Sequence, residues 1–244
     1  MIEPIDWQQP WLAAYREPGA RIEARWRGGE SLWDALNAER PSSLQHRFVP
    51  HAARGAAQAY ETVVHERGEI PTRESLHDFF NGLVWLREPA MKVRVSELHA
   101  GEIARRGITG IRGTLRDALT LFDESGAWFR GPQELVDALR RRQWRRLFVD
   151  ERARWREASV LIVGHALLEK LQMPRKMHTA HVLIDVAGAL DVPHLIMKPF
   201  LPLPVLGVPG WWAANDNHSF YDDPSVFRPE GSPRSISSAR RCRS

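Results

Sequence analysis

The chain has a single cysteine in 244 residues, Cys242, two positions from its end. An internal disulfide framework and a cysteine-based zinc site are therefore excluded. No apolar run approaches the roughly 18 residues needed to span a bilayer. The opening MIEPIDWQQPW carries acids early and no apolar segment, unlike a secretory leader. The cytoplasm is the expected address. G-x-S-x-G, P-loop, GxGxxG and HExxH signatures are all missing, which removes local support for the common hydrolase, nucleotide-binding and zincin readings. Charge asymmetry is scarce as well. The formal +4 is matched by four arginines beyond the last acid, Arg234, Arg240, Arg241 and Arg243. The rest of the chain is close to neutral and gives weak grounds for nucleic-acid binding.

What is present is a 43% hydrophobic composition with ten tryptophans and seventeen prolines, enough for one substantial core. The pattern predicts a single globular domain over residues 1–230 and a disordered Arg-rich tail over 231–244. Two short helices are expected before residue 50, the second capped by Ser31 and stopped by Pro41. AAQAYETVVHERG reads as a helix ending at Gly68. Pro71-Thr72 should open another, in which Leu76, Phe79, Phe80, Leu83 and Val84 repeat at helical spacing, broken at Glu88-Pro89. A further helix is expected from Met91 to Arg106. LTLF-DESG-AWF reads as a β-hairpin, SVLIV as a buried strand leading into the helix ALLEKL or as part of a single helix with it, and HVLIDVAG as a strand or short helix. The Pro- and Trp-rich stretch after Met197 is too apolar for a linker and should wrap the domain as an extended arm. The expected class is α+β, predominantly helical with a small sheet or hairpin.

Short polar signatures stand inside these apolar frames. His77 and Asn81 are four apart on one helix, with a solvated face or a buried, amide-held histidine as the plainer explanation. On the next helix Glu102 continues the apolar line Met91, Val95, Leu98, with His99 at its margin. A carboxylate aimed into a core must be paired, protonated or bound to a cation, and a structural ion pair with arginine is the competing account. In GHALLEK, His165 and Glu169 also stand four apart, beside Lys170. That spacing lets them share a metal, lets the carboxylate fix the imidazole tautomer, or forms an ordinary intrahelical pair. His181, and Asp123 or Glu124 at the expected turn, would complete a site if the helices converge, though a turn alone explains Asp123. Arg116-Asp117 has the simpler reading of a brace. ELVDALRRRQWRRLFVDERARW reads as a basic helical region in which, between residues 140 and 156, eight arginines interleave with Trp144, Phe148 and Trp155. The stretch suits phosphates and stacked bases, or a core-facing aromatic stripe with a solvated basic back.

The blocks PTRESLHDFFNGLVWLREPAMK, LRDALTLFDESG, GHALLEK, HTAH, LPVLGVPGWW and FYDDPSVFRP, in that order, resemble a bacterial family known as domain of unknown function 3025. The resemblance spans about Trp11 to Pro229, with Glu88 where the family's Trp-Leu-x-x-Pro step has an aromatic. It implies one domain and no particular activity.

The leading expectation is a hydrolytic enzyme with a His/carboxylate site that a divalent metal would serve. His165, Glu169, His77 and Asn81 are its catalytic candidates. His99, Glu102 and His181 are candidate metal ligands, and Lys170 and Arg116 are candidates for neutralising an anionic, phosphate-bearing or other small-molecule substrate. The alternatives are a nucleic-acid-binding protein using residues 140–156, and a protein-interaction domain using Trp211-Trp212.

Overall fold

The structure is a computed structural model that describes residues 3–54, 59–107 and 113–229. Cys242 and the expected tail over 231–244 lie outside them, as does the start of AAQAYETVVHERG. The helices α1 (Arg16–Arg27) and α2 (Leu32–Ala38) precede strand β1 (Arg47–Pro50). Ser31 caps α2, its hydroxyl accepting from the Asp34 amide. Helix α3 (Tyr60–Arg67) ends as predicted at Gly68, whose φ of 64° is the left-handed conformation that closes a helix.

Pro71 and Thr72 do not open a helix. They end strand β2 (Glu69–Thr72), which pairs in parallel with β1. Proline is tolerated in so small a sheet, where its missing N–H leaves few ladder bonds unmade. Helix α4 (Leu76–Arg87) starts instead after Ser75, whose hydroxyl accepts from the Asp78 amide. Helix α5 (Pro89–Arg106) follows the break at Glu88 directly.

The expected hairpin is also corrected. LTLFDES is the end of helix α6 (Thr114–Ser125), and only strand β3 (Gly126–Arg130) is extended. Leu115, Ala118, Leu119 and Phe122 are all buried; their i, i+3, i+4, i+7 spacing outweighs the local turn signal of DESG. The strand finds its partners far away. Beyond α7 (Gln133–Arg140) come β4 (Ser159–Ile162), α8 (His165–Lys170), β5 (Thr179–Ile184), α9 (Val192–Ile196) and β6 (Leu201–Pro204). The sheet order is β4-β3-β5-β6, with β3 antiparallel to β4 and parallel to β5, and β6 antiparallel to β5. Helices packed beside a small mixed sheet give the α+β class.

One contiguous apolar core runs from Ile5 to Phe227. Tyr15 of the N-terminal segment is fully buried in it and donates to the Ile162 carbonyl at 2.6 Å. Burial, reinforced by Glu88, pushes the Tyr15 phenol above its ordinary pKa. A raised pKa in the fold means this contribution is complete below about pH 10, where the unfolded phenol ionises, and is lost as pH rises further. Stability measured by urea unfolding should fall as pH rises above about 10, and Tyr15→Phe should flatten part of that fall while costing about 1 kcal/mol at pH 8.

The basic stretch is not one helix. After α7, Arg142 has a φ of 48°, and the chain continues through a π-helical turn (Arg146–Asp150) and a 3-10 turn (Arg152–Glu157). Trp144, Phe148 and Trp155 are buried, stacked on one another and on Tyr221. Their indole N–H groups donate to the Arg228 and Leu147 carbonyls. This aromatic cluster anchors the C-terminal arm, which Arg152 also grips through Asn215, Asp216 and Tyr221. Trp211 and Trp212 are half-buried and pack against the same core.

Candidate functional site

Four helices bring their polar faces to one cavity of about 190 Å³. Helix α4 contributes His77, Asp78 and Asn81; α5 contributes Lys92, Ser96 and His99; α6 contributes Asp123 and Glu124; α8 contributes His165. Tyr60 and Glu61 from the start of α3 and Arg73 from the loop before α4 complete the wall.

His165 opens α8, and Gly164 decides how closely it sits. A Cβ on Gly164 would lie 2.4 Å from the Ser125 Cα and 2.5 Å from the Gly126 nitrogen, so only glycine lets this backbone meet the end of α6. The Gly126 carbonyl accepts from the amides of both Val163 and Gly164. Glu124 and His165 become neighbours through that contact. Gly164→Ala sets backbone against backbone and should destabilise the fold by about 1–3 kcal/mol, read as a lower midpoint in thermal unfolding.

The two imidazoles face each other. His165 Nε2 lies 3.0 Å from His77 Nε2, with the rings nearly perpendicular. His77 turns its other nitrogen, Nδ1, to Glu169 Oε2 at 3.0 Å. The His165/Glu169 pair of α8 thus brackets an imidazole supplied by α4, and Glu169 orients His77 rather than His165. His165 Nδ1 faces Asp123 Oδ2 at 3.8 Å, and its Nε2 lies 3.9 Å from Glu124 Oε1. Among the described residues, His77, Glu124 and His165 form one group whose donor atoms all fall within 4.8 Å of each other.

Beside them, Lys92 is almost wholly buried, its Nζ 2.5 Å from Asp123 Oδ1 and 2.8 Å from Asn81 Oδ1. Asn81 spends its amide N–H on the Tyr60 hydroxyl at 3.2 Å. Asn81 thus lines the cavity with His77 and also holds Lys92. Burial pushes the His165 imidazole down to about 3, aided by Lys92 and His77 and opposed by Asp123. The ring is therefore neutral and a lone-pair donor. Burial acts to raise the Asp123 carboxyl, but Lys92 outweighs it and holds the group below its ordinary value. Glu124 is raised by burial, with Asp123 adding to the shift. His99 is lowered by burial against the opposing pull of Glu61 and Asp123.

The other sequence candidates fall elsewhere. Glu102 is buried but pairs with Arg105 and does not line the cavity. His181 lies on β5, with Nδ1 2.8 Å from the Ser125 hydroxyl and its ring against Phe200. The expected trio His99, Glu102 and His181 is thus not assembled; strand alternation and a neighbouring arginine explain why the last two point away. Lys170 is exposed, and neither it nor Arg116 is part of the cavity wall. Residues the sequence reading overlooked are Lys92, Tyr60 and Glu61. A signal existed for the first: Lys92, Ser96 and His99 stand at i, i+4 and i+7, a polar stripe beside the apolar line of α5.

Neither the curated proteins nor the solved structures include a match to this chain. A family model, described as a protein of unknown function, DUF3025, matches residues 46–193 and 185–231. These two segments hold every residue of the cavity wall, and on that match the chain belongs to the DUF3025 family.

Proposed function

We propose that the cavity is the active site of a divalent-metal-dependent hydrolase, with His77, Glu124 and His165 as ligands. The observation that carries this reading is the pair of Nε2 atoms 3.0 Å apart, each on a ring whose other nitrogen faces a carboxylate. The His77 Nδ1–H is directed at Glu169, so its Nε2 presents a lone pair. His165 Nδ1 has no hydrogen-bond partner among the described residues, and with its proton there, rather than on Nε2 and donated to His77, a second lone pair faces the first and a cation would receive both. Two nitrogens bound at ~2.0–2.1 Å and subtending 90–110° stand roughly 2.9–3.4 Å apart, which brackets the spacing found. Glu124, with a half-exposed side chain, closes the last ångström by rotation.

Two histidines and one glutamate with an open fourth position is the donor set of catalytic zinc sites, and carboxylates behind the imidazoles are their usual support. Such an ion polarises a carbonyl and lowers the pKa of water. The chain itself would orient His77 through Glu169, exclude bulk water by packing α4 on α8, and hold Asp123 charged beside Lys92.

Calorimetric titration of the metal-free chain with Zn²⁺ and with Mn²⁺ tests the reading. One equivalent bound, with hydrolytic turnover of 4-nitrophenyl esters or anilides appearing on loading, is the expected result. A folded chain that takes up neither ion overturns it. Glu169→Gln should weaken metal binding by about 10–100-fold, the range for loss of a carboxylate behind a histidine ligand, without lowering the melting temperature of the metal-free chain appreciably. The nucleic-acid alternative keeps its exposed arginines but loses its stacking surface, because Trp144 and Trp155 are buried.

A further inference from the structure

We propose that a second cavity, of about 450 Å³, binds a small organic cation, with its ammonium or guanidinium group on Glu88 and its apolar body against Trp128. This cavity shares no lining residue with the one that holds His77, Glu124 and His165, so the inference stands apart from the hydrolase reading. Its floor is the β3–β4 pair. Trp128 and Leu161 are cross-strand partners, as are Arg130 and Ser159, and all four line it. Strand alternation puts Trp128 and Arg130 on one face of β3. The rest of the wall comes from the 3-10 turn at Pro10–Leu12 and from Arg87 and Glu88, at the break between α4 and α5.

The backbone of Glu88 is fixed while its carboxylate is unused. Its amide donates to the Val84 carbonyl at 2.8 Å, and its own carbonyl accepts from the Lys92 amide at 3.0 Å, so one residue ends α4 and begins α5. The side chain does not cap α5, and it forms no ion pair among the described residues. It is half-buried all the same. Burial, with Asp185 adding to it, outweighs Arg87 and raises the carboxyl above its ordinary pKa. The remaining acid and base of the wall are spent on each other, Arg130 on Asp185. A half-buried carboxylate without a partner is a cost to the fold, and a cation is what offsets it. A second polar group of the wall is also unspent. Trp11 is 2% exposed, and its indole Nε1 has no hydrogen-bond partner among the described residues. Native folds leave few such groups, and two in one wall mark a surface shaped for a ligand.

Trp128 supplies the apolar side. It packs edge-to-face on Phe122, with ring centroids 5.0 Å apart, and is only half-buried, which leaves part of the indole to the cavity. Such a ring attracts apolar bodies and cations alike, and aromatic walls with a few fixed polar groups are the usual make-up of small-molecule sites. An anion would meet Glu88 directly, while Arg87 is exposed and Arg130 already holds Asp185.

The test titrates phenethylamine, 2-phenylethanol and 3-phenylpropanoate into the metal-free full chain by calorimetry. The three share a phenyl body and differ in charge. The expected result is one site for phenethylamine, filled on the order of tenfold more tightly than by the neutral alcohol, as one hydrogen bond to a charged group would give. Glu88→Gln should erase that preference. Ser159→Tyr, a change at an exposed position of the wall, fills the cavity and should abolish binding, with circular dichroism confirming that both variants fold. Tighter binding of 3-phenylpropanoate than of phenethylamine overturns the inference. So do equal affinities for amine and alcohol, a preference that survives Glu88→Gln, amine binding untouched by Ser159→Tyr, or no binding of the amine at all.

Discussion

Replacing His165 with alanine is expected to lower metal affinity by on the order of 10²-fold. A tetrahedral zinc site contributes roughly 10–16 kcal/mol over four ligands, about 3 kcal/mol for each. His165 is one of the three protein donors in the proposed set, and its neutral ring needs no proton removed before it binds. His77→Ala should give a loss of the same order. His181→Ala should leave metal affinity unchanged, because that imidazole is engaged with Ser125 and lies outside the cavity wall. Calorimetry on the three variants, with far-ultraviolet circular dichroism as a check on folding, separates the set formed by α4, α6 and α8 from the one the sequence suggested. Equal losses in all three variants would mean the histidines act through the fold alone.

The second large effect concerns Lys92. Removing its ammonium by Lys92→Met strands the partly buried Asp123 carboxylate. Breaking the pair costs at most the range for a fully buried one, about 3–5 kcal/mol, because the Asp123 side chain is still 23% exposed. For a chain of this size that corresponds to a fall of at most roughly 6–20 °C in melting temperature. Combining Lys92→Met with Asp123→Leu should recover most of the loss, since the uncompensated charge is gone and apolar groups of similar volume fill the space. Thermal unfolding of the metal-free single and double variants reads this directly. A single variant as stable as the parent would show that water already reaches the pair.

Much of this architecture is legible in the sequence where periodicity and capping agree. Helix α5 follows from apolar spacing, whereas SVLIV fits a strand or a helix equally and only its pairing with β3 decides for the step from β4 through Gly164 into α8. The end of α6 does not follow from its local sequence. DESG has the composition of a turn, and only burial of Leu115, Ala118, Leu119 and Phe122 together shows that the helix continues to Ser125. Because Asp123 and Glu124 ride on that last turn, the misread hairpin also concealed how they reach the site. Four-residue spacings pointed to His77 and His165, which the structure brings together, yet they suggested contacts within each helix. The contacts found run between helices, His77 to His165 and Glu169 to His77, and no local pattern specifies which faces meet. Lys92 was missed for a different reason. A lysine is ordinarily solvated, so its burial becomes visible only once Asp123 and Asn81 are seen around it.

The family match begins at residue 46, but the fold does not. Leu36 of α2 presses on the backbone of α4 so closely that a Cβ at Gly82 would stand 2.6 Å from its methyl groups, and Tyr15 reaches the strand that leads into His165. The first 45 residues therefore behave as an internal brace rather than an appendage. A chain trimmed to the family boundary would bare the apolar face of α4 and should be recovered as aggregate, and the missing segment, supplied in trans as a peptide, would be the natural agent to rescue it.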